Sequence, residues 1–400
     1  MNILMISDFY PPFMGGMYRH VQLLSRGLVK RGHKVTVCTV GNKYLNGFEE
    51  DRGVKVIRFE GFFQRIPFLF EDTKRKRPPP MRDFLITKKL EKIIKKERPD
   101  VLHAHGWILY SAVSMREKWK IPLVTTLHDY GFICPKVILL KENRICETPF
   151  TRKCVICTKD WYGPVKSLGA YCGVKLNRKR LKCVDKFIAV SKYVKEIYSR
   201  LLDLNNKDII VIPNFYDRKL NKDVVETKIL PKDFVLYVGA LYPGKGGDVL
   251  IEAYRRLNTK SKLVIIGITH PKYDYKAEEN VVILKNAPSE IVMEALLKCR
   301  FGIIPSIYPD PCPTVAFEEM SCQKAIIASD IGGLAEIIEN GKTGILVPPN
   351  NCKELAKAMG YLMRNPDVAI RMGEEGYRRF LSNYTVEVNL PKIEKLYESL

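Results

Sequence analysis

A short apolar strand followed by an amphipathic helix is the repeating theme of this chain, and the alternation runs through the sequence twice. In the first series, apolar runs at Asn2–Ser7, Lys34–Val40, Val54–Phe59, Val101–His105, Leu123–Leu127 and Phe187–Val190 read as strands. Helical spacing places Val21, Leu24 and Leu28 on one face of a helix that Arg31-Gly32 ends. Further helices centre on residues 83–97, 108–118, 167–182 and 192–202. The second series has strands at Phe234–Val238, Leu263–Ile266, Val281–Leu284, Gly302–Pro305, Ala325–Ala328 and Gly344–Val347. Its helices fall at 247–257, 289–299, 315–322, 333–340 and 351–364. Strands with little polar alternation are those buried under helices on both faces. The expected class is therefore α/β, with two doubly wound Rossmann-like domains in tandem and ligands at the carboxyl ends of their strands. At 400 residues the chain is too long for one core and suits two domains of about 150–200 residues.

Charge divides the halves. The formal net charge is +22, yet residues 1–213 hold 41 basic and 20 acidic residues, whereas residues 214–400 hold 25 and 24. Such asymmetry implies that the first half faces something anionic: nucleic acid, a membrane surface or a phosphorylated substrate. No nucleic-acid motif accompanies it, so nucleic acid is not an expected partner. No apolar run approaches the roughly 20 residues that cross a bilayer. The chain opens without the basic region and apolar stretch of a secretory signal, which makes the cytoplasm its expected location.

Three segments have the composition of a ligand site. Gly15-Gly16 follows the first strand and opens a helix, where the backbone can approach an anion closely; a plain turn has the same signature. Gly239-Ala240-Leu241-Tyr242-Pro243-Gly244-Lys245-Gly246-Gly247 is a glycine-rich loop that carries one lysine into a helix, which suits a diphosphate, or a turn with a solvated lysine. Pro305-Ser306 leads to Asp310-Pro311-Cys312-Pro313-Thr314-Val315-Ala316-Phe317-Glu318. An acid on the loop and another eight residues on can address two hydroxyl-bearing parts of one ligand, although acids at a helix amino end also complement its dipole.

Taken in order, these segments resemble the retaining, nucleotide-sugar-dependent glycosyltransferases of the GT-B fold, family four. The likeness extends through Gly32-His33-Lys34-Val35, His103-Ala104-His105, Thr125-Thr126-Leu127-His128-Asp129, Ala189-Val190-Ser191, Ile212-Pro213-Asn214, Ile331-Gly332-Gly333-Leu334-Ala335-Glu336 and Gly341 to Val347. The resemblance implies two Rossmann-like domains facing a central cleft. An acceptor domain would span 1–213 plus about 384–400, and a nucleotide-sugar domain 214–383. It implies Glu318 on the ribose hydroxyls and Asp310 on a hydroxyl of the donor sugar. Lys245 and the amides of Gly15, Gly16, Thr314 and Val315 would hold the diphosphate, with His128 near the transferred sugar. It further implies retention at the anomeric carbon and catalysis without a divalent metal. Two departures stand out. The first acid is Asp310 where the family usually has glutamate, and Ala240 stands where it often has arginine. They motivate the alternative of a catalytically silent sugar-nucleotide or glycan-binding homologue. A sugar-nucleotide epimerase of related fold fits the acid spacing less well.

Two features of the first half remain. Gly61–Phe70 is rich in aromatic residues and is followed by Lys74-Arg75-Lys76-Arg77 and a helix carrying Lys88, Lys89, Lys92, Lys95 and Lys96. Apolar residues beside a polybasic run are the ingredients of peripheral membrane binding, and the same residues could be core and solvated surface. With the family's membrane-docking habit, they suggest a lipid-linked or membrane-proximal glycan acceptor at the anionic inner face of the cell membrane. Six of eleven cysteines fall between Cys134 and Cys183. Cys134, Cys146, Cys154 and Cys157 include a Cys-x-x-Cys pair and are candidates for a structural zinc, with disulfides, a redox role or free thiols as the other readings.

Overall fold

The computed structural model describes residues 1–42, 45, 47–66, 76–142, 144–202, 204, 208–218, 227–267 and 278–400. Part of the aromatic and basic stretch, including Phe68, Leu69, Phe70, Lys74 and Arg75, lies outside the described residues. The chain divides into two compact units. One comprises Met1–Lys141, Cys146–Pro213 and Asn389–Leu400, the other Glu142–Ile145 and Asn214–Val388. The closing segment thus rejoins the first unit at Asn389 rather than near residue 384.

In the first unit the main sheet takes β1 (Asn2–Ser7), β2 (Lys34–Val40), β3 (Gly47–Asp51), β4 (Val54–Phe59), β5 (Val101–His105), β6 (Leu123–Leu127), β9 (Lys186–Ala189) and β10 (Ile209–Val211). Two-residue strands β7 (Leu140–Lys141) and β8 (Arg144–Ile145) are not part of it. The spatial order is β10-β9-β6-β5-β1-β2-β4-β3. All pairs are parallel except β3 with β4, an edge strand the apolar pattern does not announce because GFEED has one apolar side chain. Helices α1 (Gly16–Lys30), α2 (Phe84–Glu97), α3 (Leu109–Trp119), α4 (Lys153–Tyr162), α5 (Pro164–Asn177) and α6 (Lys192–Leu202) complete the unit. The single helix expected over 167–182 is instead α5 followed by a 3-10 turn, Arg178–Cys183. Pro164 sits at the first turn of α5, where its missing N–H costs nothing. Asp83 caps α2 by accepting from the amides of Leu85 and Ile86.

The second unit has one parallel sheet of β11 (Phe234–Val238), β12 (Lys262–Gly267), β13 (Val281–Lys285), β14 (Gly302–Ile304), β15 (Ile326–Ser329) and β16 (Gly344–Val347). Its order is β13-β12-β11-β14-β15-β16. Around it run α7 (Gly247–Arg255), α8 (Ser289–Lys298), α9 (Thr314–Ser321), α10 (Leu334–Ile337), α11 (Cys352–Arg364) and α12 (Pro366–Asn383), and α13 (Val386–Glu398) follows. The helix expected over 333–340 is only the short α10, because Ile338 is already extended.

Both units follow the doubly wound order, in which strand order reverses beside the first strand. That switch point falls between β1 and β5 in one unit and between β11 and β14 in the other. Alternate residues of β11 feed two cores. Val235 and Tyr237 pack with Leu250, Leu355 and Met359, while Phe234 and Leu236 pack with Met293, Ala295 and Leu296. This two-sided burial is why the strand reads as a continuous apolar run. Full burial of each such side chain contributes about 1.5–3 kcal/mol. Leu236→Ala is expected to cost about 2–5 kcal/mol, read as a lower urea midpoint of the second unit's transition.

Candidate active site

At the second unit's switch point, the loops after β11 and β14 are bound together by backbone. The Gly244 carbonyl accepts from the amides of Ile307, at 2.9 Å, and Tyr308, at 3.2 Å. Gly246 has φ +76°, and a Cβ there would come within 1.8 Å of the Pro305 carbonyl oxygen. Only glycine satisfies both the left-handed backbone and the close approach. On the far side, the Gly333 amide donates to the Asp310 carbonyl at 2.7 Å, and a Cβ on Gly333 would meet the Pro311 carbonyl at 2.1 Å. The glycine pair Gly332-Gly333 therefore seats the acidic loop.

This scaffold brings Lys245 and Asp310 together. The Lys245 ammonium forms an ion pair with Asp310 Oδ2 and stands 5.0 Å from the centre of the Tyr308 ring. Ser306 Oγ donates to the same carboxylate oxygen at 3.5 Å. Burial works against the charge of Lys245, but the Asp310 carboxylate outweighs it and raises the lysine's pKa. Lys245 is thus a firmly held cation. Four residues beyond Asp310, α9 begins at Thr314 and Val315 with no side-chain cap and no acid in its first turn. Its amino end, with the dipole's positive pole, is disposed toward an anion. Glu318 lies one turn further along the helix and is buried.

Glu319, beside it, escapes sequence reasoning. It is fully buried, its carboxyl oxygens have no hydrogen-bond partner, and it abuts Gly302, where a Cβ would come within 2.1 Å of its carboxyl carbon. Burial, and then the charge of Glu318, raise its pKa well above the usual glutamate value, so the site favours the neutral carboxyl. The apolar periodicity of α9 gives no hint of this, since the clue is a strand glycine seventeen residues upstream. Ala240, the expected gap in positive charge, has its carbonyl bound by the Tyr237 hydroxyl at 3.0 Å.

In the first unit, α1 opens at Gly16 with Gly15 as its cap, again with no side-chain cap and no acid in the first turn. His20, one turn further along the same helix, packs against His128 with ring centres 5.0 Å apart. His128 Nε2 lies 3.0 Å from His105 Nδ1, so one ring nitrogen donates to the other. Behind them His103 contacts Thr126 Oγ1 at 2.8 Å and the Tyr397 hydroxyl at 2.6 Å. Burial lowers the pKa of His20 to about 3 and holds His103 and His105 well below the ordinary histidine value. These three rings are neutral near pH 7. The structure therefore surrounds His128 with His20 from α1 and with His103 and His105 from β5.

The first unit's switch point is closed differently. Asp8, directly after β1, accepts from the amides of Trp107 at 3.1 Å and Ile108 at 2.8 Å. Arg77 Nε donates to Asp8 at 2.8 Å, its other end lies 3.3 Å from Asp129, and its guanidinium lies 4.2 Å over the Trp107 ring. Asp8 and Trp107 carry no local motif, whereas Asp129 closes the Thr125–Asp129 segment. Their shared signal is position after strands adjacent in the doubly wound order.

The candidate zinc residues line one cavity of about 30 Å³, which Cys134, Cys146, Cys154 and Cys157 all border. Among the described residues, however, no three His, Cys, Asp or Glu side chains stand close enough together to hold a metal ion as placed. No described helix is long and apolar enough to cross a membrane.

Two family models match in tandem, Glycosyltransferase Family 4 over residues 14–220 and Glycosyl transferases group 1 over residues 219–379. The chain belongs to Glycosyltransferase Family 4, with the GT-B fold, and is a glycosyltransferase. It is 27% identical to an uncharacterized glycosyltransferase of Methanocaldococcus jannaschii, across 100% of this chain and 99% of that protein. It is 24% identical to the GPI3 subunit of phosphatidylinositol N-acetylglucosaminyltransferase from Saccharomyces cerevisiae, across 86% of this chain and 71% of that one. Among solved structures, Anabaena HepE in complex with UDP and glucose superposes with a TM-score of 0.72 at 17% identity, covering 100% of both chains.

Replacing Glu319 separates its burial from its charge. A folded-state pKa above the unfolded value means stability is lost as pH rises from about 4.5 toward the folded pKa. Glu319→Gln cannot ionise. Its stability relative to the parent is expected to improve steadily from pH 4.5 to pH 8 in urea unfolding, and a difference that does not change with pH would contradict the assignment.

Proposed function

We propose that the chain transfers a sugar, with retention at the anomeric carbon, from a nucleotide-diphosphate donor to a lipid-linked or membrane-proximal glycan acceptor. The observation that carries this reading is the Lys245–Asp310 pair, set on two glycine-seated loops at a switch point and followed by the uncapped start of α9. In this reading Lys245 and the amides of Thr314 and Val315 take the diphosphate, Glu318 the ribose hydroxyls, and Asp310 a hydroxyl of the transferred sugar. For the first unit it keeps His128 for the transferred sugar and the amides of Gly15 and Gly16 for anionic oxygens. Charge builds on the diphosphate as the glycosidic bond to it breaks. A fixed ammonium and amide dipoles meet that charge, so the proposed chemistry calls on no divalent metal. HepE, solved with UDP and glucose, supports a nucleotide-sugar donor by its likeness in fold.

Once a nucleoside diphosphate sugar has been found by thermal-shift screening, Lys245→Ala is expected to lower kcat/KM for transfer by about 10²–10³-fold with the fold intact by circular dichroism. Unchanged turnover would sink the donor-site assignment. Donor binding by the parent without transfer or hydrolysis would favour the silent binding homologue that Ala240 and Asp310 suggest.

For the acceptor side, the reading adds peripheral binding at the anionic, cytoplasmic face of the membrane. Phe62 and Phe84 are exposed with ring centres 5.1 Å apart, and Lys88, Lys89, Lys92, Lys95 and Lys96 are exposed along α2. Ile156, Val165, Leu168 and Leu176 are exposed on α4 and α5, and Lys153, Lys159 and Lys175 are exposed on the same helices. Such basic residues near anionic lipid are worth about 1 kcal/mol each. Co-sedimentation with vesicles rich in anionic lipid is expected at low salt and should weaken as salt is raised. No binding at low salt would remove the membrane from the proposal.

A further inference from the structure

Four of the cysteines share one small enclosure, and the chain goes to some length to bring them there. Cys134 closes a turn in which its amide donates to the Tyr130 carbonyl at 2.7 Å. Between it and Cys146, Val137 and Leu139 both adopt left-handed backbone, with φ of 63° and 52°. That conformation is costly for β-branched and bulky side chains. The two distortions return the strand so that the Cys146 amide donates to Leu139 at 2.9 Å. Cys154 and Cys157 lie three residues apart in the first turn of α4, on one helix face. All four side chains border the same cavity of about 30 Å³.

Four thiols around one small cavity are a poor way to build an apolar core. The buried cysteines of the second unit show the contrast. Cys299 and Cys322 sit within an apolar cluster of Phe, Leu, Ile and Met. The enclosure is also bordered by Lys136, Lys141 and Lys153. Three ammonium groups oppose the double negative charge that four thiolates leave around a divalent cation.

We propose that Cys134, Cys146, Cys154 and Cys157 bind one zinc ion as a tetrahedral four-thiolate site. Each cysteine has a single side-chain dihedral with three staggered wells. In the placement seen here no three such ligands converge among the described residues, so loading the site requires the four thiolates to close on the ion across the cavity they border. Soft thiolates in a closed four-ligand set select zinc and leave no open position, so the role is structural. The ion joins the 134–146 turn to α4 and, through the Tyr130 carbonyl held by Cys134, fixes the segment that begins at His128. The assignment is independent of the donor and acceptor proposed above.

The full chain, purified without chelators under reducing conditions, is expected to carry about one zinc per chain by elemental analysis, released on titration with a thiol-specific mercurial. Cys134→Ser and Cys157→Ser should each lower zinc below about 0.2 per chain, while Cys183→Ser should leave it unchanged. In case those variants fail to fold, cobalt exchanged into the parent chain should give the intense visible bands of a tetrahedral thiolate site. Any of four results would overturn the proposal. These are a parent chain that takes up no zinc even when it is supplied, full zinc in both serine variants, disulfides among the four cysteines in the freshly isolated protein, or iron with acid-labile sulfide in zinc's place.

Discussion

At a switch point two neighbouring strands send their chains away in opposite directions, and something must hold the parted loops at a fixed separation. Each unit of this protein meets that constraint with one acceptor that takes two amides. In the first unit it is the Asp8 carboxylate, bound to Trp107 and Ile108; in the second it is the Gly244 carbonyl, bound to Ile307 and Tyr308. Much else follows from the difference between a charged clamp and a neutral one. A buried carboxylate needs a counter-charge. Asp8 obtains it from Arg77, which then lies over Trp107 and reaches Asp129. The segment after β6, including His128, is thereby tied to the clamp. The neutral clamp of the second unit makes no such demand, so the charged side chains on its loops, Lys245 and Asp310, remain available to a ligand.

The clamp also explains where the glycines fall. Gly106, at φ +87°, would drive a Cβ to within 2.3 Å of Asp8 Oδ2, and Gly246 would collide with the Pro305 carbonyl. At both positions one parted loop comes within a Cβ's reach of the other. A glycine-rich loop in a sequence of this class therefore has two separable causes, close approach of backbone to backbone and close approach of backbone to ligand. At Gly246 the first is sufficient.

What the sequence makes legible follows from the same physics. Strands such as Phe234–Val238, covered on both faces, announce themselves because burial forces every position to be apolar. The edge strand Gly47–Asp51 does not, since it pairs on one side only and faces solvent elsewhere. The residues proposed for the donor are legible because Lys245, Asp310 and Glu318 sit in runs whose glycines and prolines mark loops. The histidine group is legible only in part: His103, His105 and His128 fall in motifs, but their meeting with His20 does not show. They come from α1, from β5 and from the residue after β6, and they meet through sheet order, with Ser7 paired to His105 and His105 to Thr126. Asp8 and Glu319 are hidden for a related reason. Each is a single acid whose significance lies in a glycine or an amide that is distant in sequence.

Charge placement carries the argument furthest. The half of the chain from residue 214 on is nearly neutral, so no broad field draws a diphosphate toward it. Lys245, a held cation in this half, is paired with Asp310, and burial pushes the Glu319 carboxyl well above the usual glutamate value. If Lys245 and Asp310 hold the donor as proposed, a bare phosphate would take Lys245 from Asp310 and leave that buried carboxylate with only the Ser306 hydroxyl, which is costly. On the same proposal a sugar diphosphate brings an anion for Lys245 and a hydroxyl for Asp310 at once. The ion pair would then act as a filter, lowering affinity for each half of the donor and preserving it for the whole. The shorter aspartate fits that logic, because it lies within reach of Lys245 while its own loop is seated by Gly332 and Gly333.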